Sequence, residues 1–174
     1  MKFIKNTIKG SYVIELEKRD DQRGFFARYF CADEFKKKKL ANKFIQINNS
    51  LTLKKGTIRG MHYQKKPFEE VKIIRCISGR IFDVVVDLRK NSKSYLSWYG
   101  LELNNNNRKM LYVPKGCAHG FLTLTNNCEV IYLVSKEYSP KHEMGLRFDD
   151  PKININWPKK IIHKSEKDTQ WKFL

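Results

Sequence analysis

Two short stretches set histidines beside glycines at the ends of apolar runs: Gly56-Thr57-Ile58-Arg59-Gly60-Met61-His62-Tyr63-Gln64 and Pro114-Lys115-Gly116-Cys117-Ala118-His119-Gly120-Phe121. Between them lies Val71 to Ser78, a β-rich run in which Lys72, Ile74 and Cys76 point one way and Val71, Ile73 and Arg75 the other. An imidazole with an unperturbed pKa of about 6.5 suits a general base at neutral pH. A lysine ammonium suits the complementary task, because a proton on carbon beside a ketone leaves behind an enolate oxygen that needs a fixed positive charge in a dry site. His62 and Lys72 therefore read as a base and a cation for abstraction of such a proton. The base needs a carboxylate behind it to fix its tautomer and stabilise the imidazolium, and spacing does not identify that carboxylate.

The second stretch has the P-x-G-x-x-H spacing of the cupin class of small β-barrels, and Gly56 with His62 fits the opening of the other cupin motif, G-x(5)-H-x-H. Gln64 stands where the second histidine belongs, and a neutral amide is a poor ligand for iron, manganese or zinc. A metal site built from His62, Glu69 and His119 is the competing reading; the preferred one has no metal.

The elements that must position these groups are mostly strands, since short apolar runs separated by turn signals dominate and few windows sustain a 3.6-residue period. Val71 to Ser78 and Ile81 to Leu88 are predicted to form a hairpin across Gly79-Arg80. Further runs follow at Trp98 to Leu103, Lys109 to Val113, Gly120 to Leu124 and Glu129 to Val134, with turns at Asn104 to Asn107 and Thr125 to Asn127. This spacing predicts a sandwich or barrel. One helix is predicted over Glu34 to Leu40, capped by Asp33, with Lys36 to Lys39 toward its end as the helix dipole prefers. After Pro140 the chain reads as a tail wrapped on a single domain spanning 1–174.

The 174 residues, 41% apolar and 13% aromatic, suffice for one compact core and exclude a disordered chain. The formal charge of +17 (35 Lys and Arg, 18 Asp and Glu) makes an anionic partner worth considering. With 26 lysines scattered along the chain and only 9 arginines, most of the excess reads as solvated surface. No stacking platform sits beside a basic cluster, so a nucleic-acid partner is not expected. The opening Met1 to Asn6 lacks a secretory apolar run, no segment approaches the roughly 18 apolar residues of a membrane span, and Cys31, Cys76, Cys117 and Cys128 form no C-x-x-C pair. The expectation is a reduced, cytoplasmic protein without a membrane partner.

Six ordered blocks carry a more specific resemblance: Asp21-Gln22-Arg23-Gly24-Phe25-Phe26, Gln46 to Ser50, Arg59 to Gln64, Asp83 to Arg89, Pro114 to Phe121, and Asp149-Asp150-Pro151 to Trp157-Pro158. Together they resemble the dTDP-4-dehydrorhamnose 3,5-epimerase family, whose members invert C3 and C5 of a 4-keto-6-deoxyhexose. The resemblance implies a mainly β, cupin-type jelly-roll barrel with a few short helices, and an isomerase that needs no cofactor. It implies that His62 is the base, oriented by Asp168, that Tyr132 returns a proton on the opposite face of the ring, and that Lys72 stabilises the enolate. Arg23, Arg59 and His119 match positions that hold the diphosphate, Gln46 and Asn48 line the nucleotide or sugar pocket, Tyr138 and Glu143 match its nucleotide side, and Phe26 joins the substrate-binding set. It further implies a nucleotide-diphosphate sugar as ligand and a homodimer in which strands within residues 1–30 reach the partner's site.

Plainer roles compete at several positions. His119 could cap the turn after Pro114, Tyr132 lies in an apolar run that reads as core, Arg75 and Arg89 read as structural partners of Asp83 and Asp87, and His142 and His163 read as surface residues. Arg28 occupies the position where the family commonly has glutamate near the nucleotide, so a cytidine or guanosine diphosphate sugar, or inversion at one carbon only, stays open.

Overall fold

The computed structural model describes residues 1–174 as thirteen strands and two short helices. In chain order they are β1 (Lys2–Lys5), β2 (Tyr12–Glu15), β3 (Lys18–Asp21), β4 (Gly24–Ala27), α1 (Ala32–Lys37), β5 (Gln46–Thr52), β6 (Ile58–Gln64), β7 (Lys72–Ser78), β8 (Arg80–Asp87), β9 (Trp98–Asn104), β10 (Met110–Val113), β11 (Cys117–Thr123), β12 (Cys128–Val134), β13 (Glu143–Gly145) and α2 (Glu166–Gln170). A six-stranded sheet in the order β1-β2-β10-β7-β12-β5 faces a five-stranded sheet in the order β13-β6-β11-β8-β9, and β3-β4 forms a separate two-stranded arm. This is the mainly β, cupin-like jelly roll expected. No helix is long and apolar enough to cross a membrane.

Period-2 alternation divides the apolar residues among three layers. Ile74, Cys76, Leu111, Val113 and Val130 of the first sheet meet Ile81, Val85, Leu103 and Phe121 of the second in the central core. The outer face of the second sheet (Met61, Val84, Val86, Ala118, Leu122) is covered by Leu146, Phe148, Ile153 and Ile155. On the outer face of the first sheet, Ile73, Met110 and Tyr112 pack under Phe35 of α1, with Phe44 edge-on to it and Phe30 tilted against it.

The predicted hairpin is not formed. Gly79 turns with φ +73° as expected, but β7 pairs with β10 and β12 while β8 pairs with β9 and β11, so the turn is a corner between sheets. Burial explains this: β7 and β8 each carry apolar residues on both faces, and each gains two paired neighbours in separate sheets. The helix starts at Ala32, with Cys31 as its N-cap residue and Asp33 inside the first turn rather than capping. Arg89 does bind Asp87, through Nε at 2.8 Å, but Arg75 lies over the Tyr29 ring at 4.0 Å and Asp83 belongs to His119. His142 and His163 are half-buried; His142 stacks on Phe68 at 4.4 Å.

Candidate active site

A cleft opens between the two sheets. Its inner chamber, about 160 Å³, is lined by Ser50, Arg59, His62, Lys72, His119, Phe121, Val130 and Tyr132. An outer chamber, about 440 Å³, adds Gln46, Asn48, Tyr63, Gln64, Glu70, Val134, Tyr138 and Glu143, and shares His62, Lys72 and Tyr132 with the inner one.

The first sheet supplies its side of the cleft by simple alternation. Val130, Tyr132 and Val134 point inward from β12, with Ser50, Asn48 and Gln46 directly opposite them on β5. Lys72 is the partner of Val134 and lies diagonally from Tyr132. Tyr132 therefore faces the cleft rather than filling the core, the role its apolar run gave it on pattern alone. Burial and the nearby Glu70 carboxylate push its phenol above the ordinary tyrosine value, against the opposing pull of Arg59.

The second sheet needs a break in alternation. Arg59 and His62 are three residues apart, which in a regular strand sends them to opposite faces. The register pairs His62 with His119 and Arg59 with Phe121, so Gly60 and Met61 together oppose Gly120 in a β-bulge, and both Arg59 and His62 turn inward. Glycine is required at the bulge. Gly60 has φ +126°, and a Cβ there would lie 2.6 Å from the Gly120 Cα and 2.9 Å from the His119 carbonyl oxygen.

Each basic side chain of the cleft has its own carboxylate, with one exception. His62 Nε2 lies 2.6 Å from Asp168 Oδ1, His119 Nε2 lies 2.7 Å from Asp83 Oδ1, and Lys72 Nζ lies 3.1 Å from Glu70 Oε1. The exception is Arg59, whose guanidinium is held by neutral acceptors, the Thr52 hydroxyl at 2.8 Å and the Leu51 carbonyl at 3.3 Å. Its charge has no carboxylate partner.

Asp168 comes from α2, which the sequence did not point to as a helix. Ser165 is its N-cap and accepts from the Asp168 N–H at 3.1 Å. Ser165-Glu166-Lys167-Asp168 has the spacing of a capping box, a signal that was there to read. Burial pushes the Asp168 carboxyl up, but His62, Ser165 and the Gly60 N–H outweigh it and hold the group below the usual aspartate range. Arg147 donates to the Thr169 carbonyl at 2.8 Å, Asp150 accepts from the Leu174 N–H at 2.7 Å, and Trp171 packs on Gly145 with its ring edge-on to His62 at 6.4 Å. Asp83 lies in the core, and burial drives its carboxyl up against the opposing pull of His119 and Lys72.

At the outer mouth the Tyr138 hydroxyl donates to Glu143 and Lys167 Nζ donates to the same carboxylate, both at 2.6 Å. Tyr138 also donates its backbone N–H to Gln46 Oε1 at 3.1 Å. Gln64 is buried and spends its amide on the Phe68 and Glu137 carbonyls, the Ser139 N–H and Glu70. It braces the strand end instead of offering a ligand. His62, Glu69 and His119 form no three-residue group with metal-holding geometry. The arm stands apart: Arg23, with its side chain 90% exposed, pairs only with Asp21, and Phe26 is exposed, so neither lines the cleft of its own chain.

Of the twelve residues singled out from the sequence, ten therefore meet in or directly behind one cleft, counting Asp168 behind His62. Sequence reasoning missed Glu70, Asp83 and Trp171. Glu70 is within reach of the sequence, because residues two apart on an extended chain share a side and Lys72 reads as the cation. Asp83 and Trp171 approach through tertiary pairing and leave no local trace.

A family model described as dTDP-4-dehydrorhamnose 3,5-epimerase matches residues 5–174. The enzyme of that name from Methanothermobacter thermautotrophicus is 42% identical over 177 residues, covering 99% of this chain and 94% of that protein. Among solved structures, the dTDP-4-dehydrorhamnose 3,5-epimerase from Bacillus anthracis, with TDP and PPi bound, superposes with a TM-score of 0.95 at 36% identity, covering 99% of each chain. The dTDP-6-deoxy-D-glucose-3,5-epimerase from Legionella pneumophila, in complex with dTDP-4-keto-L-rhamnose, gives a TM-score of 0.92 at 32% identity, covering 99% of this chain and 92% of that one.

Proposed function

The chain belongs to the dTDP-4-dehydrorhamnose 3,5-epimerase family, and on that footing we propose that it converts dTDP-4-dehydro-6-deoxy-D-glucose to dTDP-4-dehydro-L-rhamnose by enolate-mediated inversion at C3 and C5. The observation that carries the reading is the placement of His62 and Tyr132 on facing sheets of one cleft, with Lys72 beside them. A sugar ring between the sheets presents one face to the imidazole and the other to the phenol.

In this reading His62 takes the proton from the carbon beside the ketone, and Asp168 fixes its tautomer and stabilises the imidazolium. The electron pair of the broken C–H bond moves onto the ketone oxygen, where the Lys72 ammonium meets it. Tyr132 then delivers its hydroxyl proton to the opposite face of the carbon, and the centre is inverted. The count closes when His62 releases its proton to solvent and the tyrosinate regains one. The substrate's own ketone is the electron sink, so the scheme calls on neither a metal nor a redox cofactor. Arg59, the cation without a carboxylate, takes the diphosphate together with His119, while Gln46, Asn48, Tyr138 and Glu143 line the outer chamber for the nucleotide.

We further infer a homodimer. Arg23 and Phe26 project from an arm that serves no site in its own chain, and the outer side of β5 exposes Ile47 and Leu51, at 71% and 54%. A second copy gives both features an occupant, the arm of one copy entering the cleft of the other.

Proton NMR of the purified protein with dTDP-4-keto-6-deoxyglucose in heavy water tests the chemistry. Loss of both the C3 and C5 proton signals is the expected result, and His62→Ala abolishes it. Loss at a single carbon redefines the enzyme as a one-centre epimerase, and exchange only with a cytidine or guanosine analogue moves its base specificity. An active His62→Ala protein overturns the reading.

A further inference from the structure

Within the cleft, none of the assigned roles explains why Lys72 carries the Glu70 carboxylate as its partner. Both side chains are largely buried, 14% and 10% exposed, and they are 3.1 Å apart. The carboxylate is itself anchored, since Glu70 Oε2 accepts from the Gln64 amide at 3.3 Å, and Gln64 is fixed by bonds to the Phe68 and Glu137 carbonyls and the Ser139 N–H. A lysine side chain has four rotatable bonds and three equivalent donors, so an unrestrained ammonium samples many positions. A carboxylate fixed from behind removes that freedom by occupying one donor.

We propose that Glu70 is a positioning residue for Lys72, setting the ammonium so that its other N–H donors meet the developing enolate oxygen. The inference rests on the reading of Lys72 as the enolate-stabilising cation. Burying an anion in a site that must take a diphosphate-linked substrate opposes binding, and the arrangement is explained by what it does in the reaction: an ammonium already ordered before charge develops costs no reorganisation at that moment. The groups around Tyr132, which Glu70 also approaches, are His62, Arg59 and Tyr63 on β6, Lys72 on β7, His119 on β11, and Tyr138 and Glu143 at the mouth.

The test is a double-mutant cycle on C3 and C5 exchange with Glu70→Gln, Lys72→Met and the double variant. Glu70→Gln keeps the size of the side chain and removes its charge, and its melting temperature and circular dichroism establish that it folds. The expected result is a fall in kcat of about ten- to a hundredfold, the size of effect that misplacing a reacting group produces, with KM within about threefold. Glu70→Gln is also expected to add no further loss on the Lys72→Met background, because its effect is exerted through the ammonium. A folded Glu70→Gln protein with wild-type kcat overturns the proposal, as does a loss that multiplies fully with that of Lys72→Met. Wild-type exchange by Lys72→Met overturns the assignment of Lys72 itself, and the proposal with it.

Discussion

His62 Nε2 and Asp168 Oδ1 are 2.6 Å apart although the residues are 106 positions apart in the chain, one on a strand of the second sheet and the other on the terminal helix. An ionised carboxylate only accepts, so in the proposed mechanism the imidazole nitrogen facing it carries the proton and Nδ1 is the basic atom. Asp168→Asn replaces the acceptor with an amide that can present a donor instead, and stabilises the wrong tautomer. Its kcat is expected to fall by about 10³–10⁴, as loss of the orienting carboxylate does in comparable base-orienting pairs. Steady-state kinetics alongside a melting curve checks it; a loss below tenfold in a folded protein removes the carboxylate from the mechanism.

In the proposed mechanism, placing the base and the acid on opposite faces of the ring separates two events. In Tyr132→Phe, His62 can still remove a proton, exchange it with solvent and return it to the same face. Deuterium incorporation with retained configuration is expected to persist while inversion falls by at least about a hundredfold, the scale of a lost general acid. NMR of the product in heavy water reads both. Because burial and Glu70 hold the phenol above its ordinary value, the wild-type enzyme is expected to keep Tyr132 in its acid form to a higher pH than an ordinary tyrosine would.

How much of this was legible in the sequence depended on whether position followed from a local rule. The inward direction of Lys72 follows from alternation, and so does the burial of Ile73 under α1. The joint inward direction of Arg59 and His62 does not, because the bulge depends on two glycines, Gly60 and Gly120, meeting from different strands. The Gly79 turn shows the same limit: its conformation follows from the glycine, but the partition of β7 and β8 between sheets is set by what covers their faces. Asp83 reaches His119 across a strand pair, and Trp171 reaches His62 from the far end of the sequence.

The uncompensated charge of Arg59 gives a binding prediction. Arg59→Gln is expected to raise KM, and the Kd for TDP, by roughly ten- to a hundredfold, the equivalent of about 1.5–3 kcal/mol for a hydrogen bond to a charged group. Titration calorimetry with TDP at two salt concentrations measures it, and the salt dependence is expected to shrink in the variant. Unchanged TDP affinity would show that the diphosphate lies elsewhere.

The cysteines differ sharply in reactivity. Burial pushes the thiols of Cys76 and Cys117 up to about 12, Cys128 is buried as well, and only Cys31 is partly exposed. Iodoacetamide at pH 8 is expected to modify one cysteine per native chain and four after unfolding, since the thiolate is the reactive form. Intact-mass spectrometry counts them.

Gly145 separates stability from activity. It pairs with His62 across β13 and β6, and a Cβ on it would lie 2.3 Å from the Trp171 ring. The ring cannot stay where it is in Gly145→Ala, and because Trp171 immediately follows α2, its displacement drags the helix that carries Asp168. Most of the core is untouched, since Trp171 belongs to none of the three apolar clusters. The melting temperature is therefore expected to fall only by the few degrees that about 1 kcal/mol produces in a chain of this size, while kcat falls by more than tenfold and approaches the Asp168→Asn value. The two effects are read on one preparation, by a thermal melt and by C3 and C5 exchange. A variant that loses stability but keeps wild-type exchange would mean that Asp168 holds its place on His62 without the packing of Trp171 behind it.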